Sequence, residues 1–221
     1  VACGTGIVVP LDRELNAEEL KNQIIRAEVS GVLFAKKHET VFKQIKEDGD
    51  TPLQVLVNFN TDEETDEVCS FSQLIEEGKK LIESGNRDFL DAEIIYDEMG
   101  ILLFTSGTTG KAKGVMLSHK NIVTELMVAP TIFTLNPWDR YLSILPLHHT
   151  YECTCGFLMA LYKGSSVAYC EGLKYITKNL KEAQPRMTLG VPALPENPYR
   201  PIWKNIRKPG KEKLLKQNIN A

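Results

Sequence analysis

Ten consecutive residues, Thr105 to Gly114, carry only hydroxyl side chains, glycine, alanine and lysine, and they follow directly on an apolar run from Ile101 to Phe104. This composition suits a polyphosphate. Gly107 and Gly110 let backbone N–H groups turn toward an anion, Thr105, Ser106, Thr108 and Thr109 supply hydroxyl donors, and Lys111 and Lys113 add positive charge. The plain alternative is a polar turn between two strands. Two lysines and four hydroxyls placed straight after a buried-type strand favour anion binding over that reading. The ordinary nucleotide loop G-x-x-x-x-G-K-[S/T] does not fit, because its first glycine would fall on Thr105 and its magnesium-holding hydroxyl on Ala112.

A second group of chemistry-bearing residues lies in L-P-L-H-H-T-Y-E-C-T-C-G, from Leu145 to Gly156. His148 and His149 stand at the end of an expected strand, just before an apolar helix. A histidine in such a place is more often a capping or packing residue than a catalytic one. Zinc on His148, His149, Cys153 and Cys155 is disfavoured, since adjacent histidines and a C-x-C on a helix do not converge easily on one tetrahedron.

The elements that must position these residues follow from periodicity. Short apolar runs rich in β-branched residues predict strands over Gly6 to Val9, Val32 to Phe34, Leu53 to Phe59, Ile101 to Phe104, Leu142 to Leu145, Ser166 to Tyr169 and Met187 to Leu189. Between them, helices are predicted from Asn16, with Glu19 completing a capping box and Leu20, Ile24 and Ala27 on one face, and over Ser70 to Ser84, with Gly85 past its end. Further helices fit Ser118 to Met127, Tyr151 to Lys163 and Leu173 to Ala183. Alternation of this kind implies an α/β fold with a wound, mostly parallel sheet flanked by helices. Such sheets bind ligands beyond the carboxyl ends of their strands. The acidic stretch Thr61 to Glu67 reads as a solvated loop.

The remaining composition narrows the function classes. A net charge of −3, with 25% charged residues, offers no basic footprint for nucleic acid. The longest apolar run, Phe157 to Tyr162, is far below the roughly 18–20 residues that span a bilayer. No transmembrane segment is expected, and peripheral membrane association and oligomeric state are left open. Five cysteines, Cys3, Cys69, Cys153, Cys155 and Cys170, are an odd number in a chain of 221 residues, which points to reduced thiols and a cytoplasmic setting. The opening on Val1 and the Pro- and Lys-rich stretch from 192 to 221 read as the edges of a truncated chain.

The stretch from Phe104 to Val115 resembles the signature loop of the adenylate-forming superfamily, [Y/F]-T-S-G-[S/T]-T-G-x-P-K-G-V, whose members include acyl-CoA synthetases, peptide-synthetase adenylation domains and luciferase. One position departs from it: Ala112 stands where proline is usual. The segment from Leu145 resembles the superfamily's P-[L/F/M]-x-H motif, with His149 at its histidine and Tyr151 at the nearby aromatic. Gly6 to Asp12 resembles its early structural motif, and Ala168 to Ala183 resembles bacterial long-chain acyl-CoA synthetases, the long-chain assignment resting mainly on Leu145 to Ala183. The resemblance implies that residues 1–191 are part of the large N-terminal AMP-binding domain. It implies that Thr105, Ser106, Gly107, Thr108, Thr109, Gly110 and Lys113 hold the ATP phosphates and that Thr105 also contacts Mg2+. His149 and Tyr151 would border the acyl-carboxylate site, leaving Lys113 and His149 as the catalytic residues.

The implied reaction is activation of a long-chain fatty acid by ATP as acyl-AMP, followed by transfer to CoA. Adenylation of an aryl, short-chain or amino acid is the alternative within the family. A non-catalytic phosphate-binding domain and a kinase-like NTPase are the alternatives outside it. Neither the superfamily's Y-G-x-T-E motif, its T-G-D motif, its hinge nor its lysine-bearing small domain is found between Val1 and Ala221. The 221 residues are therefore expected to be inactive on their own.

Overall fold

A computed structural model of the chain describes residues 6–105, 112–132 and 134–190. The chain divides into two compact units, Val1–Val123 and Thr124–Ala221. The Pro- and Lys-rich stretch at 192–221 lies outside the described residues.

The first unit is built on a parallel sheet of β1 (Gly31–Phe34), β2 (Val55–Asn58) and β3 (Cys69–Ser70), with Gly31 opposite Val55 and Phe34 opposite Asn58. Helix α1 (Ala17–Arg26) begins where the sequence places it. The Asn16 side chain accepts the Glu19 N–H at 2.9 Å, Glu18 and Glu19 sit in the first turn and Arg26 in the last, an arrangement that complements the helix dipole. Its Leu20 and Ile24 enter a core completed by Val32, Phe34, Phe42, Ile45, Leu53, Leu56 and Val68. Phe42 and Ile45 come from α2 (Glu39–Glu47), which periodicity did not announce. A 3-10 turn of three residues, Lys36–His38, runs straight into α2, and its polar face of lysines masks the two apolar anchors. Helix α3 (Phe71–Glu83) is capped by the Ser70 hydroxyl and closes at Gly85 with φ of 93°, as expected from Ser70 and Gly85.

The strand before the phosphate loop, β4 (Met99–Thr105), pairs antiparallel with β5 (Lys113–Ser118), which runs directly into helix α4 (His119–Val128). The apolar runs of the sequence predict no strand at 113–118, and among the described strands this is the one antiparallel pair beside parallel sheets. The apolar run Val115-Met116-Leu117 is only three residues long and follows a glycine, so its strand character comes from the pairing itself. On its other side β4 takes a parallel bridge from Val8, whose N–H donates to Gly100 O and whose carbonyl accepts from Leu102 N–H, both at 2.9 Å.

The second unit centres on β6 (Arg140–Ser143), flanked in parallel by β7 (Ser166–Tyr169) and β8 (Met187–Thr188). Strand β6 ends two residues earlier than expected, and Leu145 begins the turn that carries the histidines. The predicted helix over 151–163 is present but irregular. It opens as a π-helix over Glu152–Leu158 and tightens into α5 (Met159–Tyr162), after which Gly164 turns the chain with φ of 70°. Helix α6 (Ile176–Ala183) follows a 3-10 turn, Leu173–Tyr175, and stops at Gln184 in the left-handed region. Tyr141, Met159 and Ala160 form the buried centre of this unit. At the entry to β6 the buried Asp139 accepts from the Asn136 N–H at 2.7 Å and from Arg186 at 3.1 Å.

Candidate functional site

In the first unit the antiparallel register brings Thr105 and Lys113 directly opposite one another, at the two ends of the phosphate-loop segment. Cross-strand neighbours in such a pair have side chains about 4.5–5.5 Å apart at Cβ. The Thr105 hydroxyl donates to the Lys113 carbonyl at 3.5 Å, the long limit of such a bond. Both residues are exposed, and Lys113 makes no ion pair among the described residues. Ser106, Gly107, Thr108, Thr109, Gly110 and Lys111 lie outside the described residues.

A residue that sequence reasoning missed stands beside this mouth. The Arg26 guanidinium donates to the Ala112 carbonyl at 2.5 Å and lies over the Phe104 ring, 5.6 Å from its centroid. Arg26 therefore touches both residues that bracket the Thr105–Lys113 pair. No local signal marks it, since 86 positions separate it from Ala112; within α1 it reads as an ordinary basic residue of the last turn.

The donor set fits a polyphosphate. One ammonium and a neutral hydroxyl are open to solvent at the hairpin mouth, and each suits an anionic oxygen. For Mg2+ the fit is conditional: the Thr105 hydroxyl is one neutral oxygen where the ion wants six, so a metal would be held there only together with phosphate oxygens and water.

In the second unit, His149 lies on the turn after β6 and Tyr151 at the start of the helix that follows, and both are exposed. The turn is closed by the His149 N–H donating to Pro146 O at 3.0 Å, while Cys153 N–H donates to His149 O at 2.9 Å. The His148 and His149 rings are 4.4 Å apart. Cys153 and Cys155 are half-buried, and burial pushes both thiols up, with the Glu125 and Glu152 carboxyls adding to the effect at Cys155. Burial of this kind disfavours the thiolate form.

Immediately after Tyr151, sequence reasoning overlooked Glu152, which is completely buried. Desolvation pushes its carboxyl up, and the Ser143 hydroxyl and Leu145 N–H pull the other way. Neither reaches full hydrogen-bond geometry, so both carboxyl oxygens are without a partner. The preference is thus for the neutral acid.

Residues 4–197 match the sequence model of a family described as AMP-binding enzyme. The chain belongs to the AMP-binding enzyme family. Among its relatives is long-chain-fatty-acid–CoA ligase 1 of Cavia porcellus, 31% identical over 209 residues, a match that covers 85% of this chain and 28% of that protein. A chloroplastic long-chain-fatty-acid–acyl-carrier-protein ligase, AEE15 of Arabidopsis thaliana, is 31% identical over 144 residues, or 63% of this chain and 20% of the relative. The chain thus spans less than a third of the length of the curated relatives it matches. Among solved structures, ATP-bound MatB from Rhodopseudomonas palustris superposes with a TM-score of 0.65 at 21% identity, covering 92% of this chain and 36% of that one. The anthranilate CoA ligase AuaEII in complex with anthranoyl-AMP gives 0.64 at 14% identity, over 82% and 34%. These structures share the fold of this family member, a mixed helix and strand architecture with parallel sheets.

Proposed function

We propose that the chain carries the phosphate-binding part of a ligase that activates a long-chain fatty acid with ATP as acyl-AMP and passes the acyl group to CoA. The observation that supports this most strongly is the pairing of Thr105 with Lys113 at the mouth of the β4–β5 hairpin, inside a family match that covers residues 4–197. In this reading Lys113 contacts the phosphates and stabilises the leaving pyrophosphate, Thr105 joins the phosphates in holding Mg2+, and Ser106, Gly107, Thr108, Thr109 and Gly110 supply further phosphate contacts. Catalysis is then mostly positioning and charge neutralisation, since the reacting carboxylate and the α-phosphate need only be held in line. His149 and Tyr151 border the acyl carboxylate.

Fatty acid is preferred as substrate over aryl, short-chain or amino acids because the relatives at 31% identity are named for it. CoA and a carrier-protein thiol are the two acceptors those names offer, and CoA is the one adopted here. No helix among the described residues is long and apolar enough to cross a membrane. Cys69, Cys153, Cys155 and Cys170 are unpaired, which supports a reducing compartment, the cytoplasm being the one proposed. The AMP-binding domain is assigned to residues 1–191.

Calorimetric titration of the chain with ATP and with palmitate tests the reading. Saturable binding of ATP is expected; a chain that binds neither would be a non-catalytic structural domain.

A further inference from the structure

We propose that Arg26 is a positioning residue for the phosphate loop, tethering its C-terminal stem through the Ala112 carbonyl in place of the proline that the signature pattern has at position 112. The inference rests on the reading of the β4–β5 mouth as the phosphate site. Three observations carry it. The guanidinium donates to Ala112 O and simultaneously lies over the ring of Phe104, so one rigid group spans both stems of the hairpin. Phe104 is paired with Gly114 and Thr105 with Lys113, so Ala112 is the first residue beyond the last ladder pair and the one immediately before the lysine. The backbone that carries Arg26 is held in place, because α1 is anchored by the buried Leu20, Gln23 and Ile24.

Proline at 112 would restrict that residue by locking φ near −65°. Alanine leaves it free, and an alanine stem before Lys113 would let the ammonium wander over more backbone states. A guanidinium that holds the alanine carbonyl and lies over an aromatic face removes much of that freedom by another route. Lysine would hold the same carbonyl less firmly, because its flexible ammonium loses more freedom for each hydrogen bond than the pre-organised guanidinium does.

The test uses the full chain and inorganic tripolyphosphate as the probe, with R26M, R26K, A112P and the double variant R26M/A112P. Affinity is read by calorimetry and stem order by hydrogen exchange of the backbone amides at 113–116 without ligand. R26M is expected to weaken binding about tenfold, the scale of one charge-assisted hydrogen bond, and to speed exchange at 113–116. R26M/A112P should regain most of both, while R26K should not. Rescue by R26K with none from A112P would overturn the inference, since Arg26 would then act on the anion through its charge. Unchanged affinity and exchange in R26M would overturn it too. If the unaltered chain binds no tripolyphosphate, the phosphate-site reading fails, and exchange in R26M and R26M/A112P still decides whether Arg26 is the tether.

Discussion

The carboxyl of Glu152 lies over the backbone of Gly156, so close that a methyl group at position 156 would come within 2.5 Å of Oε1. They stand four positions apart within one π-helix, and both are buried. Such helices widen the turn by one residue and gather at functional sites. Here the widened turn admits a carboxyl group that has no hydrogen-bond partner.

The sign of the resulting pH dependence follows from burial, which raises the Glu152 carboxyl above its ordinary range. Between its unfolded and folded values the folded chain binds more protons, so this group contributes stability at low pH that is lost as pH rises through the raised value. Glutamine keeps the shape without the charge. Melting temperatures of the unaltered chain and E152Q should converge near about pH 4 and separate, E152Q higher, by about pH 8. G156A should melt lower at every pH, because the carboxyl it displaces is fully enclosed.

Asp139 works in the opposite direction. The Asn136 backbone N–H holds its carboxyl below the usual range, and Arg186 adds to this. Its contribution is present above the unfolded carboxyl range and lost as pH falls through the lowered value. D139N should melt below the unaltered chain at neutral pH, and the gap should close in acid. A gap that persists unchanged into acid would show that packing and not charge is responsible.

A long alkyl chain in contact with the wall behind Tyr151 should bind in proportion to its length, at about 0.8 kcal/mol for each methylene buried. Affinities for fatty acids of increasing length, measured on the chain, should climb steeply and Y151A should flatten the climb. A preference for acetate or an aromatic acid would refute the long-chain assignment.

The 221 residues alone should not make acyl-CoA. The superfamily's Y-G-x-T-E and T-G-D motifs find no match between Val1 and Ala221, and loss of even one group that stabilises charge in the transition state can cost roughly a hundredfold to a thousandfold in rate. Thioester formation from palmitate, CoA and MgATP should be at background. Turnover near that of an intact ligase would contradict this.

Legibility in the sequence tracks how local each feature is. Asn16 and Ser70 announce their helices because a cap is settled within three residues of the chain. The parallel sheets follow from the alternation of elements. Helix α2, by contrast, shows only Phe42 and Ile45 as buried anchors, and β5 owes its existence to pairing with β4. Thr105 and Lys113 were legible as a motif, yet their facing register was not, because register depends on where the partner strand begins. Arg26 and Glu152 were invisible for a related reason: one acts on a carbonyl far along the chain, and the other is an acid whose burial only the folded unit reveals.

The central claim, that the hairpin mouth binds the phosphates of ATP through Lys113, is tested most directly by calorimetric titration of MgATP into the unaltered chain, K113A and K111A. The unaltered chain is predicted to bind saturably, K111A to weaken binding only slightly, and K113A to lose at least about tenfold, the scale of one charge-assisted phosphate contact. Equal losses in the two variants, or no saturable binding in the unaltered chain, would contradict the account.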